Sequence, residues 1–207
     1  MRLKDWVKTA LQYSGIVVGA SLLYGVLMEP TDLKMMMNMT GTYMLMFGAA
    51  MTMLFGITVY KVMLPVSLGF GSTRKEAFVG MQCFRLIYCA IVTAVALLVF
   101  LLNGEIGMAE FKPLAPICIG LMPLLSALGV VLGIIGNRFG KSTMAVVSVV
   151  GALLVMGILF GTLMLFAFLE DKIGVLGMWM FPVLGLVIYG LTCIWEHKKV
   201  MKYCVKL

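Results

Sequence analysis

Ser67-Leu68-Gly69-Phe70-Gly71-Ser72-Thr73-Arg74-Lys75-Glu76-Ala77-Phe78 is the stretch around which the chain is organised. It is short, polar and punctuated by glycine, and it lies between two long apolar runs. Gly69 and Gly71 permit sharp backbone turns. Thr73 and Glu76 have the spacing of a capping box, in which each side chain accepts a hydrogen bond from the other residue's free backbone amide. The spacing therefore predicts a helix that begins near Thr73. Arg74, Lys75 and Glu76 then occupy the polar side of a chain reversal, and an apolar span follows from Ala77.

The composition explains why the flanks are so apolar. Hydrophobic residues make up 62% of the 207 residues and charged residues 12%, and the mean hydropathy is +1.09. A soluble domain of this size is closer to half apolar and a quarter charged. This chain cannot surround a core with a solvated shell, so its apolar surface must face lipid. At about 20 residues per span with short connections, the length accommodates about six transmembrane helices in one membrane domain, residues 1–207. The expected class is an all-α membrane protein.

Residues 1–13 separate into two faces when placed on a helix. Leu3, Trp6, Val7, Ala10 and Leu11 fall on one side; Arg2, Lys4, Asp5, Lys8 and Gln12 fall on the other. That pattern predicts an amphipathic helix lying in the headgroup plane ahead of the first span. Spans are then expected at 14–28, 39–63, 77–102, 113–135, 143–169 and 173–195, with a cytoplasmic coupling loop and helix at 64–76. Pro123 lies inside the fourth span and predicts a kink. Gly174, Gly177 and Pro182 leave open whether 173–181 is a re-entrant helix or the start of the sixth span. The basic start and following apolar run have the outline of a secretory signal. No small-residue cleavage site precedes Glu29, so the segment is expected to be retained.

On this map most basic residues fall on one side: Arg2, Lys4, Lys8, Lys61, Arg74, Lys75, Arg138, Lys141 and the cluster Lys198 to Lys206. Glu29, Asp32, Glu105, Glu110, Glu170 and Asp171 fall on the other. The positive-inside rule makes the first side cytoplasmic, with both termini there. The net charge of +7 then reflects a face held against anionic lipid, and no nucleic-acid partner is expected.

Other constellations carry less. Gly140-Lys141-Ser142 superficially matches a nucleotide-binding loop, but Ile135 stands where its first glycine is required. The turn Asn137, Arg138 and Lys141 is read as a lesser cytoplasmic contact. The one histidine, His197, sits in a basic tail, and nothing has catalytic or metal-ligand spacing, so the chain is read as no enzyme, with no metal site. Of the 20 methionines, Met35, Met36, Met37, Met39, Met44 and Met46 crowd the start of the second span, and they read as pliable packing or a greasy lining in preference to a Cu(I) site. The five cysteines read as free thiols. Arg85 is the one charge inside a span. It either snorkels about 12 Å to the cytoplasmic interface, or lines the inner mouth of a pathway, or pairs with a lipid phosphate or anionic substrate. Gly129-x-x-x-Gly133 and Gly157-x-x-x-Gly161 are small-residue stripes for packing within the chain or across a dimer. No other intramembrane charge suggests proton or sodium coupling.

The run from Gly69 to Phe78 resembles the first cytoplasmic loop of bacterial ABC-2-type transporter permeases, and the layout of amphipathic helix and six spans is similar along the whole chain. The resemblance implies that Gly69, Gly71, Ser72, Thr73, Arg74, Lys75 and Glu76 form a coupling helix seated in a groove of a separate ABC ATPase subunit. It implies a dimer of that ATPase carrying ATP and magnesium, a second permease copy or homologous permease, and a location in the bacterial plasma (inner) membrane. It further implies export of a hydrophobic peptide, a lipid-like molecule or a drug. The outer loops are short, unlike those of relatives with a large extracellular part, and this leaves the cargo open. Two alternatives stand beside it: the substrate-binding membrane subunit of a vitamin or cofactor uptake system, and a non-transporting assembly or immunity protein.

Overall fold

A computed structural model describes residues 3–139 and 177–202, together with the single residues 157 and 161. Every element among them is a helix. Helix α1 is Leu3–Met28 and α2 is Leu33–Thr58; α2 continues through a π-helical turn, Val59–Met63, into α3, Leu64–Gly69. Helix α4 is Arg74–Leu102, α5 is Gly104–Phe139, and α6 is Met180–Met201. Five of these runs are long and apolar enough to cross a membrane, which fits a multi-pass membrane protein. The expected span 143–169 and residues 173–176 of the expected sixth span lie outside the described residues.

Local chemistry sets the helix ends. Asp32 caps α2, its carboxylate accepting from the backbone N–H of Lys34 and Met35 at 2.9 and 3.2 Å. Thr73 caps α4 through the expected capping box, which is formed. At the opposite end of α4, the side chain of Asn103 donates to the Lys34 carbonyl and to Asn38 Oδ1, tying the α4–α5 turn to the start of α2. Gly104, at φ +72, lets the chain reverse there in one step.

Several boundaries differ from those expected. Residues 3–28 form one continuous helix, so no separate interfacial helix precedes the first span. Trp6 is 1% exposed and packs edge-on to Phe84 over Gly80, and Ala10 is buried beside it, while Leu11 faces outward. The close approach that Gly80 allows draws this face of α1 into the bundle. The second span does not stop at Met63 but runs helically to Gly69, because the π turn absorbs Pro65 and the chain has no other breaker there. The polar stretch 103–112 is the start of α5 and not a loop; Glu105, Glu110 and Lys112 sit on its exposed first turns. The presumed tail Glu196 to Lys199 is the last part of α6.

Helix α2 lies at the centre, packed against α5, α1 and α4, and α6 rests on α5 and α4. Its contact with α5 brings backbone to backbone. A Cβ on Gly129 would meet the Met53 carbonyl oxygen, and one on Gly56 would lie 2.7 Å from the Gly129 carbonyl carbon. Gly133 faces Gly56 and Ile57 in the same seam, so this small-residue stripe is an interface within the chain. Thr52 closes the seam, donating from Oγ1 to the Met122 carbonyl at 3.0 Å. Gly120 of α5 likewise meets Phe181, Pro182 and Gly185 of α6. In contrast, a Cβ on Gly15, Gly19, Gly157 or Gly161 meets nothing within 4 Å.

This contrast gives a direct test. Gly129→Leu forces α2 and α5 apart and lowers stability by about 1–3 kcal/mol or more, read as a fall in the thermal midpoint of the detergent-solubilised protein. Gly15→Leu leaves the midpoint unchanged.

Candidate functional site

Two features at one end of the bundle stand out: a rigid exposed turn and, inside it, a buried polar network. The turn joins α3 to α4 through Phe70, Gly71, Ser72 and Thr73. Its backbone amides are engaged: Phe70 N–H donates to Val66 O, Gly71 N–H to Leu68 O, and Ser72 N–H to Ser67 O at 3.0–3.2 Å. Gly71 adopts φ +80, a conformation other residues reach only with strain. Thr73 Oγ1 accepts from Glu76 N–H at 3.2 Å, and Glu76 Oε2 accepts from Thr73 N–H at 2.9 Å. Glu76 precedes the apolar run from Ala77. The Thr73 backbone donor, followed by the Thr73 hydroxyl, holds its carboxyl below the ordinary carboxylate value. The box is thus fully formed above that ordinary value and loosens as pH falls through the lowered one.

What the turn exposes differs in part from the sequence reading. Phe70, at its tip, is 79% exposed. Lys75 is exposed beside it. Arg74, expected to face a partner, instead donates from Nη1 to the carbonyl of Met201 at 2.7 Å, pinning the turn to the end of α6. Phe78 meets the ring of His197 edge-on, with centroids 5.0 Å apart. With Trp6 over Gly80, the beginning of α1, the turn and the end of α6 gather at one end of the bundle. Asn137 and Arg138 close α5, which runs toward the same end; Lys141 lies outside the described residues.

One to three turns into α4 lies the network that the sequence reading missed. Arg85 is 2% exposed and Glu196 0%. The two form a bidentate ion pair, Arg85 Nη1 to Glu196 Oε2 at 3.1 Å and Nη2 to Oε1 in close contact. Gln82 Nε2 donates to Glu196 Oε2 at 2.9 Å. Gln82 Oε1 in turn accepts from Tyr189 OH at 2.6 Å and from Cys193 Sγ at 3.3 Å. Tyr60, from the π-helical turn, is buried against the same network with its hydroxyl unpartnered. Arg85 therefore neither snorkels to the interface nor awaits an outside anion: its partner is a carboxylate of this chain. The signal for it was present, because Gln82 and Arg85 share one face of α4 while Tyr189, Cys193 and Glu196 recur at helical spacing on α6.

Beyond Arg85, away from the turn, α4, α5 and α6 line a partly open cavity of about 400 Å³. Cys89, Thr93, Ala94 and Leu97 continue one stripe of α4 along it, facing Met122, Pro123 and Ser126 of α5 and Leu186 and Tyr189 of α6. Among the described residues no group of His, Cys, Asp and Glu side chains has the arrangement of a metal site, and Cys83, Cys89, Cys118 and Cys193 are free thiols. The expected methionine cluster is dispersed around α2, with Met44 in the core and Met35 exposed. No protein-family model, curated protein or solved structure matches the chain.

A buried pair behaves differently when halved than when removed. Glu196→Leu alone strands the Arg85 guanidinium and costs about 3–5 kcal/mol. The double variant Arg85→Met, Glu196→Leu recovers most of that loss. Thermal unfolding of both in detergent checks the expectation; equal losses would mean that the pair is not formed.

Proposed function

We propose that this chain is the membrane-embedded permease subunit of an ATP-driven ABC transporter in the plasma membrane of a bacterium. Adenosine triphosphate would be hydrolysed on a separate ATPase dimer, with magnesium, and the cargo would be hydrophobic or lipid-like. The observation that carries this reading is the rigid turn 70–73, which presents Phe70 to water at the tip of an inflexible helical pair. A loop that only reversed the chain would need neither the saturated backbone nor the double cap. An exposed aromatic on a stiff support is what a groove on a partner can grip.

In this reading Phe70 is the anchor and Lys75 a rim charge. Gly69, Gly71, Ser72, Thr73 and Glu76 shape the turn, and Arg74 transfers load to α6 through Met201. Closure of the ATPase dimer would push the turn, and α3 and α4 would carry the motion into the bundle. A second permease copy would complete the assembly. The gathering of the described chain ends on the same side as the turn supports a common cytoplasmic face.

The test is to purify the tagged chain with an ABC-2-type ATPase from the same host and measure ATP hydrolysis. The wild-type chain retains the ATPase and stimulates its turnover. Phe70→Asp with Lys75→Glu lowers both by about tenfold or more while insertion into the membrane is unchanged. Retention of full coupling in that variant, or failure of the wild-type chain to hold any such ATPase, would reject the assignment.

A further inference from the structure

The cavity between α4, α5 and α6 falls in the size range of small-molecule sites. It is elongated: its lining runs from Arg85 to Leu97 on α4, about 18 Å at helical rise. The surface it exposes is mainly apolar, although Arg85, Thr93, Ser126 and Tyr189 are among its described lining. The one charged residue among its described lining, Arg85, is already neutralised by Glu196, which also accepts from Gln82. An entering anion would find that charge already balanced, with only the Arg85 Nε–H unpartnered, and would itself be buried without a counter-charge, at a high cost. A cation would meet the Arg85 guanidinium without access to the carboxylate behind it. Charged ligands are thus excluded from both directions.

A modest hydrogen-bonding group is accommodated. Pro123 in the α5 wall supplies no N–H to the carbonyl of Ile119, which also lines the cavity. Ser126, one turn on, carries a buried hydroxyl with no partner. A plain hydrocarbon tail of the bilayer would leave these groups unmet; a ligand hydroxyl can donate to the Ile119 carbonyl or to Ser126 Oγ, and a ligand carbonyl can accept from the Ser126 hydroxyl.

We propose that this cavity is the binding site for an uncharged, elongated, mainly hydrocarbon molecule bearing a single hydroxyl or carbonyl, such as a long-chain alcohol. As the cargo site it rests on the transporter reading; as a ligand site it stands independently, and its test needs no ATPase. Thr93 and Ala94 form its midpoint, the Arg85–Glu196 pair its closed end toward the exposed turn.

The experiment uses the full chain in lipid nanodiscs with a diazirine-bearing octanol as probe, adducts being mapped by mass spectrometry. Adducts concentrate on the Cys89–Leu97 segment, and unlabelled decanol suppresses them saturably while decanoate and decyltrimethylammonium do not. Ala94→Phe fills the midpoint and lowers them about tenfold, with labelling of lipid-facing Leu184 unchanged as the folding control. Ala90→Phe serves as a second plug where the first does not fold. Adducts spread evenly over lipid-facing residues, equal competition by the charged amphiphiles, or labelling indifferent to a folded plug variant would overturn the proposal. Full ATPase coupling in the Phe70 variant, or a wild-type chain that holds no such ATPase, with this labelling intact would reject the transporter reading alone.

Discussion

The Arg85–Glu196 pair is the constraint from which the arrangement of this end of the bundle follows. Two charges placed in a low-dielectric interior cost several kcal/mol each in lost hydration, and only close mutual contact with saturating hydrogen bonds offsets that. Gln82 adds to the offset by donating to Glu196, Tyr189 and Cys193 hold Gln82 in position, and Arg85 Nε is left without a partner. Every member of this set lies on α4 or α6, so α6 cannot slide or turn on α4 without breaking several bonds together. Those two helices otherwise share few contacts; most of α6 leans on α5. The register between α4 and α6 is thus fixed electrostatically, where α2 and α5 are fixed by glycine-mediated backbone contact.

That register determines what happens at the exposed end. Because Glu196 is held against Arg85, the last turn of α6 reaches the start of α4, where Met201 accepts from Arg74 and His197 meets Phe78. The turn 70–73 is therefore braced from two sides, by α3 through its own backbone bonds and by α6 through Arg74. One helix, α4, carries the cap, the ion pair and the cavity wall in sequence: Thr73, then Gln82 and Arg85, then Cys89 to Leu97. Any displacement imposed on the turn acts first on the pair and then on the cavity.

Parts of this arrangement could be read directly from residues, and others could not. The capping box at Thr73 and Glu76 and the apolar spans were legible because both depend on spacing within one segment. The stripe Gly129-x-x-x-Gly133 was visible as a packing surface, but its partner, Gly56 on α2, was not, since nothing local encodes which helix approaches. Glu196 was misread for a similar reason. Followed by His197, Lys198 and Lys199, it has the composition of a solvated tail, and only a contact more than 100 positions away makes it interior. An inventory of charge would have found it: a span that contains Arg85 needs a carboxylate at the same depth, and Glu196, three residues and one face on from Cys193, is in helical phase to supply it. The continuous α1 was missed because Trp6 reads as an interfacial anchor, and only Gly80 makes room for it in the core.

The distribution of stiffness bears on how such a bundle could move. The glycines of the turn suggest a hinge, yet its amides are hydrogen-bonded and its Thr73–Glu76 box is closed, so bending there would break several bonds at once. The π-helical turn Val59–Met63 is the weaker link. It holds an extra residue per turn, and such segments convert to α-helical geometry by shifting one hydrogen bond at a time. It also carries Tyr60, whose buried hydroxyl lacks a partner beside Glu196. A one-residue shift in the π turn would rotate α3 relative to α2 and swing Tyr60 with respect to the ion pair, while the turn and α4 moved as one body. Compliance lies on the α2 side and rigidity on the α4 side, so in the proposed transporter a push at Phe70 would flex the π turn while α4, with the charged pair and the cavity wall, moved as one body.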